Sequence, residues 1–103
     1  MKENFREVLC FDDVLLEPQY SDIETRAQID LTTPLSLFVG DYLSLPIISA
    51  PMDTVTGPEM AIAMNEAGGL GILHRYNSID DQVLMVKNIL DNLPTANFGA
   101  AIG

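Results

Sequence analysis

Two short segments carry side chains whose types and spacing suit ligand chemistry. The first is Ser49-Ala-Pro-Met-Asp-Thr-Val-Thr56. Here a rigid residue, Pro51, and a polarizable apolar one, Met52, follow a short apolar run where a polar turn is the norm. Methionine can flank a flat ring, and nearby backbone amides can hold the ring's polar edges. The plainer alternative is that Met52 caps a core and Asp53 caps a turn. The second segment is His74-Arg75-Tyr76-Asn77. Arg75 can hold a phosphate or stack on a base. The alternative is a hydrogen-bonded structural histidine beside a solvated arginine. The chain has one histidine and one cysteine, too few soft ligands for a metal centre.

Other residues that draw the eye read as structural. Gly68-Gly-Leu-Gly71 is glycine-rich, but it lies between a helix and a strand. A dinucleotide fingerprint needs its glycines after a strand and before a helix. Cys10 sits in an apolar stretch with only Arg6 as a basic neighbour, which predicts a buried, inert thiol. Asp12 and Asp13 are adjacent, so on a strand they point to opposite faces and cannot act as a pair. Thr25-Arg26 lies in a polar loop and by itself says little.

The elements that position these residues follow from apolar spacing. Residues 8–16 predict a short strand or hairpin arm ended by Pro18. Residues 20–34 are polar, with an apolar beat at Ile23, Ile29 and Leu31. Residues 35–45 predict an irregular strand or loop with a turn near Gly40-Asp41. Ile47 to Ala50 suits a strand buried on both faces. Thr56 to Glu59 predicts a capping box opening a helix over 57–67. Pro58 is tolerated in that first turn. Met60, Ile62, Ala63, Met64 and Ala67 are its packing residues, and Gly68-Gly69 stops it. Leu70 to Leu73 predicts a second strand. Ser78 to Asp81 is another capping box, for a helix over about 79–92 with Ile79, Val83, Val86 and Leu90 on its apolar face. Phe98 to Gly103 begins a third strand. Strands alternating with helices imply a parallel sheet with right-handed crossovers. Ligands in such folds sit at the carboxyl ends of the strands. That places 50–54 and 74–77 on one candidate functional face.

Composition bounds the answer. The chain has 103 residues, 48% hydrophobic, with 15 acids against 5 bases and a net charge of -10. That length is at most one domain, whereas a closed (β/α)₈ barrel takes roughly 250 residues. The five cations, Lys2, Arg6, Arg26, Arg75 and Lys87, are scattered and form no basic stripe, which argues against nucleic acid and against an anionic membrane. No apolar run is long enough to span a bilayer, and no secretory h-region follows the N-terminus. A cytoplasmic protein is expected.

FDDVLLEPQYSD, SAPMDTVT, AIAMNEAGGLGILHR and GAAIG, in this order, resemble the inosine monophosphate dehydrogenase/guanosine monophosphate reductase family. The resemblance runs from about Leu9 to Gly103. It implies the N-terminal portion of a (β/α)₈ barrel: about two β/α units and a third strand, preceded by a short β-arm. It also implies a purine nucleotide bound at the strand ends beside NAD, or beside NADP in a reductase. In the dehydrogenase a cysteine attacks the purine at C2, hydride leaves to NAD, and water releases xanthosine monophosphate. The reductase works from guanosine monophosphate with NADPH and releases ammonia. Matched residue by residue, Ala50 and Met52 line the base and ribose. Thr25, Arg26 and Arg75 match positions near the cofactor, and His74 matches a neighbouring family histidine.

The departures carry expectations too. The family's catalytic cysteine lies far downstream, and Cys10 does not correspond to it. The phosphate loops, the mobile flap and the monovalent-cation loop are likewise not matched. Residues 1–103 are therefore expected to form an incomplete catalytic domain, inactive alone and tetrameric, as the family is, when completed. Only Leu93 to Asn97 separates the second helix from GAAIG, so the paired regulatory (CBS) modules are missing, which is reductase-like. The text of residues 49–74 is closer to the dehydrogenase. A non-catalytic nucleotide-binding or assembly module is the third possibility.

Overall fold

The computed structural model describes residues 6–35 and 42–103. Lys2 and the expected turn at Gly40-Asp41 lie outside the described residues. The centre of the fold is a three-stranded parallel sheet of β3 (Ile48–Ser49), β4 (Leu70–Leu73) and β5 (Phe98–Ala100), in that spatial order. Helix α1 (Pro58–Glu66) links β3 to β4, and α2 (Ile79–Asn92) links β4 to β5. The expected α/β alternation is thus formed. Ahead of it, β1 (Thr33–Pro34) pairs antiparallel with β2 (Tyr42–Leu43).

Both helices cover the same face of the sheet. Ala61 of α1, Leu73 of β4 and Ile89 of α2 form one buried cluster, with Ile62, Met85, Val86, Ala96 and Phe98 packed around it. Burying a side chain such as Ile89 stabilises by roughly 1.5–3 kcal/mol over leaving it exposed. Gly71 sets the spacing between helix and sheet. A Cβ there would lie 2.6 Å from the Ala61 Cα, so its missing side chain lets α1 settle onto β4.

The end of α1 follows its glycines. Gly68 has φ +87°. The Gly69 N–H donates to the Met64 carbonyl at 2.8 Å and the Gly68 N–H to the Asn65 carbonyl at 3.0 Å. This pair of bonds is the Schellman stop, which needs a left-handed residue at the first of the two positions. At the start of α2, Ser78 is the N-cap, and its hydroxyl accepts from the Asp81 N–H at 3.1 Å.

Several expectations are corrected. Residues 8–16 are not a strand: Phe11–Asp13 form a 3₁₀ turn. The Asp13 carboxylate accepts the Cys10 N–H at 2.9 Å, a local bond that competes with a sheet ladder. Cys10 is exposed rather than buried, as is every residue from 6 to 35. The N-cap of α1 is Gly57, with no side-chain cap, because Thr56 is fully buried and committed elsewhere. On α1 the core residue is Ala61 rather than Met60, which is 41% exposed. On α2 the expected face is rotated. Ile79 and Leu90 are exposed, while Ile89 is buried with Met85 and Val86 against the core. The apolar arc of α2 is wider than one stripe, and its two halves lie about a quarter-turn apart. Packing uses the half that meets Leu73.

Candidate functional site

The carboxyl ends of β3, β4 and β5 bring together the 50–56 loop, residues 74–77 and Ala101. Thr56 organises the first of these. It is fully buried, and its Oγ1 lies 2.6 Å from the Ala50 carbonyl oxygen and 2.8 Å from Ser49 Oγ. A carbonyl only accepts, so the Thr56 proton goes to Ala50, and the hydroxyl pair is completed by the Ser49 proton.

The loop is also folded on itself. The Met52 N–H donates to the Ala50 carbonyl at 2.8 Å. This is a three-residue turn with Pro51 at its centre, where the ring's fixed φ suits the bend. The Met52 carbonyl then accepts from the Val55 N–H at 3.0 Å and the Thr56 N–H at 2.9 Å. Both backbone polar groups of Met52 are held, while its side chain stays 51% exposed. Met52 therefore does not cap the core. It is a fixed, accessible apolar surface at a strand end.

The second strand end is tied to the first. The His74 N–H donates to the Thr56 carbonyl at 3.3 Å, and the Ala101 N–H donates to the Leu73 carbonyl at 2.9 Å. His74 Nδ1 accepts the Tyr76 N–H at 3.2 Å, a local structural bond. Arg75 is exposed and borders a cleft of about 260 Å³ between the start of α2 and the end of β5, shared with Asn77, Ile79, Gln82, Val83 and Ala101. Gln82 Nε2 donates to the Ala101 carbonyl at 3.4 Å, whereas Gln82 Oε1 is buried with no partner.

Ala50, Met52 and Arg75 thus stand at one end of the parallel sheet. Thr25 and Arg26 are not among the residues lining the cleft beside Arg75. Thr25 is the N-cap of an exposed 3₁₀ turn, Arg26–Gln28, and its N–H donates to Gln28 Oε1 at 3.5 Å. Arg75 with one small cleft falls just below the roughly 300–1,000 Å³ usual for a cofactor site, so these residues alone do not make a site for a whole dinucleotide. A larger concavity, about 790 Å³, opens between α1 and α2 and holds none of the candidate residues, so size does not locate the site. Among the described residues no group of three or more His, Cys, Asp or Glu side chains is placed to hold a metal.

Sequence reasoning missed Thr56 and Gln82. The Thr-x-x-Glu spacing of Thr56 and Glu59 reads as a helix cap. The other use of Thr56 depends on where Ala50 falls after the turn. Gln82 reads by itself as a polar residue on a helix. Its position at the edge of an apolar stripe, one turn after the N-cap, was the available signal.

A family model described as "IMP dehydrogenase / GMP reductase domain" matches residues 8–99. An inosine-5'-monophosphate dehydrogenase of Nitrosopumilus maritimus is 55% identical over 86 residues, covering 81% of this chain and 18% of the relative. Its counterpart in Methanocaldococcus jannaschii is 40% identical over 108 residues, covering 94% of this chain and 21% of the relative. A GMP reductase of Leishmania donovani is 42% identical over 83 residues, covering 81% and 16%. The chain therefore spans about a fifth or less of the length of these relatives.

Proposed function

We propose a role for this chain, which belongs to the IMP dehydrogenase / GMP reductase family, as the first β/α units of a dehydrogenase-type (β/α)₈ barrel. In this role it supplies part of the nucleotide wall through Ala50 and Met52. Arg75, with Thr25 and Arg26 brought up by the rest of the barrel, faces the nicotinamide cofactor. The reaction of the whole protein is then conversion of IMP, NAD and water to XMP and NADH. NAD supplies the hydride acceptor. The residues of this chain position the purine and the cofactor, and the nucleophile belongs to the remainder of the protein.

One observation carries this reading. The Met52 backbone is pinned at the end of β3, next to the end of β4 that presents Arg75, with the Met52 side chain left accessible. Parallel α/β folds bind their ligands at that end of the sheet. The barrel form is supported by the strand order, which runs β3-β4-β5 without reversal, and by both helices lying on one face. The face carrying Ile48, 55% exposed, would be the barrel interior.

A GMP reductase is the second reading. It is favoured by the connection from α2 to β5, which runs only from Leu93 to Asn97 and leaves no regulatory module at this point. Assaying the protein that carries this chain with IMP and NAD, and separately with GMP and NADPH, tests both. NADH formation with IMP is expected. NADPH oxidation with GMP and no turnover of IMP would assign the reductase instead.

A further inference from the structure

Backbone and side-chain bonds from three parts of the fold converge on one residue of the 50–56 loop. Thr56 uses every polar group it has. Its N–H donates to the Met52 carbonyl, its hydroxyl to the Ala50 carbonyl, and its carbonyl accepts the His74 N–H. Its hydroxyl oxygen also faces Ser49 Oγ. It is fully buried, so water cannot replace any of these partners. Thr56 thereby joins β3, the loop and the end of β4 at one point.

We infer that Thr56 is a positioning residue for the nucleotide wall. Its hydroxyl fixes the Ala50 carbonyl, and through it the angle at which Met52 is presented. The residue touches no ligand itself. This inference rests on the proposed nucleotide role of Ala50 and Met52 and adds the residue that holds them.

A hydroxyl used this way differs from ordinary core packing, because valine has nearly the same shape and lacks only the bond. Thr56→Val keeps the volume and leaves the Ala50 carbonyl without its shortest partner. Thr56→Ser keeps the hydroxyl and loses one methyl. The two variants separate positioning from packing in opposite directions.

The test is steady-state kinetics on the protein that carries this chain, with amide hydrogen exchange on the same samples. Thr56→Val is expected to raise KM for the purine nucleotide about tenfold, the loss of one buried hydrogen bond, with kcat changed much less. Thr56→Ser is expected to keep KM within about twofold of the parent. Exchange is expected to quicken in residues 50–56 of Thr56→Val and to stay unchanged in α1. Ser49→Ala, which removes one leg of the network, should move KM in the same direction by less and serves if Thr56→Val does not fold. An unchanged KM in the variants that fold, or a larger loss in Thr56→Ser than in Thr56→Val, overturns the inference. A parent protein that uses neither IMP nor GMP overturns the proposed function, and the inference falls with it. A parent that turns over its nucleotide while Thr56→Val matches it overturns the inference alone.

Discussion

Met52 and Arg75 differ in what their removal should cost. Met52 offers apolar surface on a fixed backbone, so Met52→Ala should raise KM for the nucleotide about tenfold by lost contact. Arg75 offers charge from an exposed position. Arg75→Ala should weaken the cofactor by a similar factor and leave the KM for the nucleotide unchanged, because the two residues stand on different strand ends. Equal effects of Arg75→Ala on both substrates would contradict that division. Two carboxylates give a pH signature. Asp13 is held below the usual carboxylate range by the Cys10 backbone N–H first and its thiol second. Asp30 is lowered by the Thr32 hydroxyl first and the Thr32 N–H second. A value lowered in the folded chain means that folding favours the ionised form. The carboxylates' contribution to the turns at 10–13 and 30–32 is therefore fully present above the ordinary carboxylate value and is lost as pH falls through the lowered one. NMR of the Cys10 and Thr32 amides during acid titration should report that loss, and amides that stay fixed through full protonation would refute it. Both groups lie on the surface, so the effect is local and adds little to global stability.

At the level of elements, glycine positions make the sharpest predictions. Gly68→Ala places a side chain at φ +87°, which costs roughly 1–2 kcal/mol, and also drives its Cβ into Ser44 Oγ. Gly71→Ala meets the Ala61 backbone, so α1 must lift from β4 at a cost of about 1–3 kcal/mol. Urea unfolding of the protein carrying this chain checks both, and a midpoint equal to the parent for Gly71→Ala would disprove the close-approach argument. Helix α2 was legible to its ends, Ile79 and Asn92, because its cap, its length and Pro94 agree. The Gly68 stop was legible for the same reason. The burial faces were not. Met60 and Leu90 look like core residues by spacing, but spacing defines only an arc, and the neighbour decides which part of the arc is used. The 8–16 stretch misled most. Its apolar residues suggest a strand, yet Phe11, Leu15 and Leu16 are 96–99% exposed, and a strand needs an edge to pair with.

As a whole, the molecule is more open than its composition suggests. Its radius of gyration is 19.1 Å, against about 13 Å for a compact domain of 100 residues. Ile48 and Ile102, on the sheet and just past β5, and residues 8–31 all present large apolar side chains to solvent. Exposed apolar surface on this scale marks a surface made to be covered. The 103 residues by themselves should therefore self-associate and bind a hydrophobic dye. Size-exclusion chromatography with light scattering checks this, and a dye-free monodisperse monomer would show that the described faces need no cover. Among the described residues no helix is long and apolar enough to cross a membrane. The amino-acid sequence by itself determined the element order from β3 to β5, the helix that runs 79–92, the glycine stop and the family, because caps, periodicity and motif wording are local properties of the chain. Only the tertiary structure decided that Thr56 is a buried tie rather than a helix cap, that Cys10 is exposed, and that Gln82 carries a buried oxygen beside Ala101. Each of those depends on which groups far apart in sequence come within hydrogen-bonding or packing distance, and no local pattern encodes that distance.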